Sequence, residues 1–359
     1  MKTYDIGIVG AGNSAHALAA YLSSNGHRIS MYCRRPEALA HVLRDSHIRS
    51  QGKLEGVFPI ERVVSDFQAL CNSSSIIFIA TVATAYTDII RSMAPFLTRD
   101  HIVIPFSSKL GGCKEVQAAF AAERHNAFRL NVLETDALFA CRLQEDGSIW
   151  IRGIKNWNLF SGPTLSETKE YGSLLARLFD GLEPADNLIQ RGLTDFGAAA
   201  HALITLANLS RIDRSDDFLF YYEGLSERTI VLLEAVEQEF RAVAEAYGTS
   251  LVPLKILLDR YYGCNTESLL KAVTSVPNYQ HSKAPTTLNH RYFQEDVACT
   301  LVPLIELARK ANVSTPIVNA TVNIASTLGG RDFASEGRTL KRLGWNLLSQ
   351  SEIMREVRS

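Results

Sequence analysis

Two groups of residues carry types and spacings that could do chemistry. Residues 10–15 read Gly-Ala-Gly-Asn-Ser-Ala, a GxGxxA pattern suited to cradling a pyrophosphate. Gly10 permits a sharp turn. Gly12 has no side chain, so a phosphate can approach the backbone, and Ala15 is small enough for a helix to lie close on the preceding strand. Asn13, Ser14 and Ala15 open that helix, whose unpaired N–H groups and partial positive charge favour an anion. About twenty residues past such glycines, an acidic side chain commonly holds ribose hydroxyls. Here Arg34 and Arg35 occupy that place. Guanidinium groups there would attract a 2′-phosphate, so NADPH is the expected cofactor, ahead of NADH. Thr81, with Val82 and Thr84 beside it, follows a later apolar run and is placed near the same cofactor.

The second group lies in the other half of the chain. His201 sits in AAAHALITLAN (198–208), an apolar helical stretch. An imidazole can give and take protons near neutrality. A lone histidine on an apolar helix is nevertheless more often a satisfied core residue. NHRYFQED (289–296) crowds His290, Arg291, Glu295 and Asp296 where a long apolar helix begins. The two acids complement a helix dipole, but Arg291 does not, because a cation there is unfavourable without an anion beside it. Lys109, in the loop SSKLGG (107–112), could be catalytic, but a solvated loop lysine is the commoner case.

Strands and helices must position these residues. Residues 4–9, 28–33, 75–81, 102–106 and 128–133 read as buried strands, with helices expected from Asn13, over 36–45 and over 84–97. That alternation argues for a parallel, doubly wound sheet. Residues 153–186 are less regular, and GLEPADN (181–187) has turn character where the rhythm stops. Beyond about residue 196 strand signals fade. Helices are expected over 198–208, 229–247, 253–260, 265–272, 294–312 and 316–327, with Pro303 kinking the fifth. The domains therefore divide as 1–185 and 186–359.

Composition narrows the class. The 359 residues comfortably support two domains, and 46% hydrophobic with 21% charged residues is ordinary for a globular enzyme. A net charge of −1 favours neither nucleic acid nor an anionic membrane as partner. No apolar run is long enough to cross a bilayer, and the N-terminus lacks a signal-peptide core. Six cysteines are scattered singly without CxxC, which suits reduced thiols in a cytoplasmic setting better than disulfides or a metal site.

These residues resemble the opine dehydrogenase family, the octopine/nopaline dehydrogenase group. The most specific match is TLNHRYFQEDV with the apolar helix after it and Val313-Ser314-Thr315-Pro316. FYYEGLSE (220–227) and the amphipathic helix after it also match. More loosely, so do GAGNSA, Glu134–Thr135 with Arg142, and RTLKRLGW near the C-terminus. The resemblance implies an α/β N-terminal Rossmann-type domain, an all-α C-terminal domain, and an active site in the cleft between them. It implies joining the amine of an amino acid to the carbonyl of a 2-oxo acid, such as pyruvate or 2-oxoglutarate, and reducing the imine with NAD(P)H. His201 falls on the family's catalytic histidine, Asp296 on its aspartate partner and Arg291 on the arginine that holds a substrate carboxylate. Asn208 matches a downstream asparagine that could contact substrate or cofactor. Two positions depart from the pattern: Gly197 replaces an asparagine four residues before the histidine, and Ala202 replaces the proline after it.

Small-molecule amino acid and 2-oxo acid are thus the expected partners, with homodimerisation left open. A ketone reductase of the glycerol-3-phosphate dehydrogenase or ketopantoate reductase type is the rival, but such enzymes usually rely on a cleft lysine for which the sequence offers no convincing counterpart. A non-catalytic nucleotide-binding protein is the third reading.

Overall fold

In the computed structural model, which describes residues 2–125 and 127–359, the chain forms two units. The first comprises Met1–Ser108, Gly112–Pro163 and Glu167–Pro184; the second comprises Ala185–Ser359 with the short segments Lys109–Gly111 and Thr164–Ser166.

The first unit is built on a six-stranded sheet. Its order is Arg62–Val64, Arg28–Tyr32, Asp5–Val9, Ile76–Ile79, Ile102–Pro105 and Asn131–Val132, with every pairing parallel. Strands buried on both faces read as continuous apolar runs, and Ile76–Ile79 (IIFI) is buried at every position. Helix Asn13–Ser24 packs through Ala15, Leu18, Ala19 and Leu22, all fully buried. Two smaller sheets escape the sequence pattern. One joins Phe139–Leu143, Ile149–Ile154, His47–Gly52 and Gly56–Pro59, and the other joins Leu182–Pro184, Asn158–Ser161 and Glu134–Thr135. The stretch read as irregular holds the 14-residue helix Leu165–Leu178, whose Gly172 makes way for the Phe160 ring.

The second unit is helical; among its described residues the one extended pairing is the isolated bridge Leu219–Lys283. Its longest helix, Glu227–Ala246, is capped by Ser226, buries Ile230, Leu233, Val236, Phe240 and Val243, and lends the Glu239 carboxylate to the first N–H groups of helix Pro316–Gly329. Where a kink was expected at Pro303, the helix is instead divided: Arg291–Asp296, a π-helical turn Val297–Leu301, then Val302–Lys310. Proline has no N–H to offer the carbonyl four residues back. Cys299 O, which Pro303 cannot serve, accepts from Leu110 N at 3.2 Å and from Arg338 Nη1 at 3.5 Å. Among the described residues, no helix is long and apolar enough to cross a membrane.

Candidate active site

In the first unit the glycine turn is a shaped cradle. Gly10 has φ +139°, and a Cβ there would stand 2.7 Å from Ala80 O, so only glycine fits the turn. Gly10 N donates to Tyr32 O at 3.0 Å and Ala80 N to Val9 O at 2.9 Å. These bonds gather the carboxyl ends of three parallel strands, where ligands of open α/β sheets bind. The loops leaving those ends carry the glycines, Arg34–Arg35 and Thr81. Gly12 is the opposite of Gly10: no atom lies within 4 Å of a Cβ built on it, so the backbone lies open to a phosphate. Helix Asn13–Ser24 begins there with no side-chain cap and no acid in its first turn. A dinucleotide pyrophosphate therefore fits this turn. Asn13 Oδ1 also accepts from Leu143 N at 2.9 Å, tying the helix start to the second sheet. Ser14 is half-buried, Arg34 and Arg35 are exposed, and Thr81 makes one long bond to Val82 O at 3.3 Å.

In the second unit a buried chain of polar side chains runs through His201. Asp195 caps helix Phe196–Ala207, its Oδ1 accepting from Ala198 N. One turn in, the His201 ring points back toward the helix start, as helical side chains do. A Cβ on Gly197 would meet its Cε1 at 2.6 Å, so glycine at this departure from the family pattern makes room for the ring. His201 Nδ1 lies 2.7 Å from Asp296 Oδ2, and Nε2 lies 2.7 Å from the Tyr221 hydroxyl. Asp296 Oδ1 in turn lies 2.6 Å from Lys109 Nζ, which also bonds Asp195 Oδ2 at 2.9 Å.

The electrostatics follow from these contacts. Burial alone would raise the Asp296 carboxyl, but the Lys109 ammonium and His201 hold it at about 2. The ionised carboxylate accepts from Nδ1–H, which leaves Nε2 of the neutral ring as an acceptor. Burial pushes the Tyr221 phenol well above its ordinary range, so its O–H is retained and donates to Nε2. Tyr221 stacks on Tyr279, with centroids 3.9 Å apart, and Tyr292 stacks on His201 at 4.0 Å. Arg291, at the start of helix Arg291–Asp296, carries an exposed side chain with its guanidinium 5.2 Å from the Tyr292 ring centre. Among the described residues it forms no ion pair with a carboxylate. One tyrosine ring thus touches both the imidazole and a guanidinium open to an anion. Burial and Arg291 lower the neighbouring His290 to about 4, and its neutral Nδ1 accepts from Tyr292 N–H.

One expectation is corrected. Lys109 is not a solvated loop lysine: it is 5% exposed and ion-paired on two sides. Asn208, at the end of helix Phe196–Ala207, is tied into the fold through its amide N–H groups. Its amide nitrogen donates to Ile204 O at 2.9 Å and to Gly224 O at 2.7 Å, which occupies both N–H groups and ties the helix end to the following loop. Tyr221 went unremarked as an individual residue, although it stands in FYYEGLSE, one of the stretches that carries the family resemblance.

A parallel-sheet unit with an open glycine turn, and a helical unit with an imidazole–carboxylate pair, define a dinucleotide-dependent oxidoreductase. Residues 5–118 match the NAD-dependent glycerol-3-phosphate dehydrogenase N-terminus, and residues 184–328 match the NAD/NADP octopine/nopaline dehydrogenase alpha-helical domain. The opine dehydrogenase of Arthrobacter sp. (strain 1C) is 29% identical over 99% of both chains. Octopine dehydrogenase solved with NADH and L-arginine shares the fold at a TM-score of 0.76, with 18% identity over 99% of this chain and 98% of that one. Yersinopine dehydrogenase with NADP+ bound gives a TM-score of 0.71, with 15% identity over 99% and 98% of the two chains. Along its whole length the chain is similar to the opine dehydrogenases, and these matches mark it as an NAD(P)-dependent oxidoreductase acting on CH–NH bonds.

Proposed function

We propose that this chain is an NADPH-preferring opine dehydrogenase in which His201 is the acid–base catalyst, Asp296 its orienting partner and Arg291 the clamp for a substrate carboxylate. It condenses the amine of an amino acid with a 2-oxo acid and reduces the resulting imine to an N-(carboxyalkyl)amino acid. The observation that carries the reading is the bond of 2.7 Å between His201 Nδ1 and Asp296 Oδ2.

The chemistry needs these groups. An attacking amine must be neutral, and Nε2, left as an acceptor by Asp296, can take its proton once the ammonium replaces the Tyr221 O–H there. The carbinolamine must then lose water, and the imidazolium formed in the first step can protonate the departing hydroxyl. Asp296, held ionised, stabilises that imidazolium. The guanidinium of Arg291 can grip the 2-oxo acid's carboxylate through two parallel hydrogen bonds and so fix which face of the reacting carbon is presented. A nicotinamide, when bound, supplies the hydride. Gly10, Gly12, Asn13, Ser14 and Ala15 would hold its pyrophosphate, Thr81 would flank it, and Arg34 and Arg35 would take the 2′-phosphate. Among the described residues the cysteines form no disulfide, which suits the reducing cytoplasm in which NADPH is used.

The test is NADPH consumption with amino acid and 2-oxo acid together and with each alone. Only the complete mixture should consume it, and equal consumption with the 2-oxo acid alone would refute the reading. The Arg34→Ala/Arg35→Ala variant should lose about tenfold or more in kcat/KM for NADPH while NADH is little affected. An unchanged ratio between the cofactors would remove the arginines from the 2′-phosphate site.

A further inference from the structure

Lys109 has no part in the scheme above, yet the fold goes to some length to place it. It has φ +64° in a loop where Ser107 has φ +69° and Gly111 φ +77°. Two non-glycine residues held in the left-handed region in one short loop mark a conformation imposed by its surroundings. Within the helical unit the restraint on Lys109–Gly111 is visible. The buried guanidinium of Arg191 donates to Lys109 O, and that of Arg338 donates to Leu110 O at 3.1 Å. Leu110 N–H donates to Cys299 O, the carbonyl that Pro303 cannot serve. Arg338 N also donates to Ala298 O, at 2.7 Å, so the π-helical turn beyond Asp296 holds the loop and its clamp together. The outcome is one ammonium between the carboxylates of Asp195 and Asp296, all three side chains 6% exposed or less.

We propose that Lys109 is a positioning residue for the acid–base pair: it keeps Asp296 anionic, with Oδ2 turned to His201 Nδ1, by holding both carboxylates on one ammonium. This rests on the reading of His201 as the acid–base catalyst. Two buried carboxylates that share a cation cannot both stay ionised when the cation is removed. One proton would be taken up between them, and Asp296 would lose the charge that supports the imidazolium. The titratable and charged groups around Asp296 are Lys109, His201, Tyr221, His290 and, on its own helix, Arg291. Those facing His201 are Asp296, Tyr221, Tyr292 and His290. Asp195 meets Asp296 through the shared ammonium of Lys109.

Lys109→Met tests the proposal, assayed as kcat against pH with the substrate pair on which the wild type is active. The variant's kcat should fall about 100-fold near pH 6 and recover as the pH is raised, because the shared proton then leaves, with KM values nearly unchanged. Lys109→Met/Asp195→Asn removes the rival carboxylate together with the ammonium and should regain about tenfold near pH 6. An infrared band of a protonated carboxyl group should appear in Lys109→Met at neutral pH and be absent from the wild type, a readout independent of turnover. A wild-type kcat and pH profile, a loss equal at every pH, or no carboxyl band would each overturn the assignment. Should Lys109→Met not fold, the double variant carries the test: a wild-type-shaped pH profile supports the proposal, and inactivity at every pH overturns it. Full turnover in His201→Ala would instead overturn the catalytic reading itself, whatever the lysine variants do.

Discussion

The pattern Gly-x-x-Ala-His-Ala-Leu occurs twice in this chain, at residues 12–18 and 197–203. Both copies begin a helix, and both histidines are buried. In the first copy the His16 ring turns back on its own helix: Nδ1 bonds Gly12 O at 2.9 Å, and Nε2 meets His41 Nε2 at 3.0 Å. Burial and His41 lower it to about 4, so it stays neutral and structural. In the second copy the ring meets a carboxylate on one side and a phenol on the other. The glycines differ in the same way. Space above Gly12 is empty, whereas space above Gly197 is filled by the imidazole four residues on. Local sequence builds the same helix start twice, and only the partners brought from elsewhere make one of them a candidate catalyst.

The largest effect that could break this contrast is on turnover. His201→Ala should lower kcat by about three to four orders of magnitude while NADPH affinity, measured by fluorescence titration, stays within about twofold. His16→Ala should leave kcat nearly unaltered. Comparable losses in both variants would show that the two histidines are not separated by their partners as argued.

The same contrast explains what could be read in advance. The glycine turn is a backbone device, and its requirements fall on adjacent residues, so Gly10, Gly12 and Ala15 announce it. The parallel sheet was legible for a similar reason, since strands such as Ile76–Ile79 are apolar at each position. The two smaller sheets were not. Strand Gly56–Pro59 alternates half-buried and exposed positions, and Glu134–Thr135 is two residues long. The histidine, arginine and aspartate were placed through family resemblance, because residues 201, 291 and 296 have no local pattern in common. Lys109 misleads for a physical reason. Its burial depends on Asp195 and Asp296, 86 and 187 positions away, and on two arginines that grip its loop. Nothing within SSKLGG encodes them. The division of the helix over 291–310 was half legible: Pro303 announced a disturbance, but Leu110 and Arg338, which donate to Cys299 O, lie far from it in sequence.

An intermediate effect separates the two glycines. Gly197→Ala should reduce kcat by about tenfold, because the added carbon would lie 2.6 Å from His201 Cε1 and must displace the ring. Alanine suits the helix better than glycine, though in this first turn by less than the roughly 1 kcal/mol of a helix interior. A variant with lower turnover and an unchanged or higher melting temperature is therefore expected. Wild-type turnover in Gly197→Ala would mean that the ring has freedom which the contacts with Asp296 and Tyr221 argue against.

The smallest effect concerns stability and leaves catalysis aside. His16 titrates at about 4 in the folded chain against an ordinary 6.5, and the main cause is burial. The unfolded chain therefore binds a proton more readily than the folded one below pH 6.5. The stability that goes with a neutral His16 is complete above that pH, and it is lost as pH falls from 6.5 toward 4. The loss amounts to about 3 kcal/mol over this window. His16→Gln keeps a side chain that can donate to Gly12 O but cannot titrate. Urea unfolding at a series of pH values should show a shallower fall for the variant between pH 6.5 and 4. Parallel curves for the two proteins would mean that His16 is not held neutral, and the partner-based distinction between the two copies of the pattern would lose its first half.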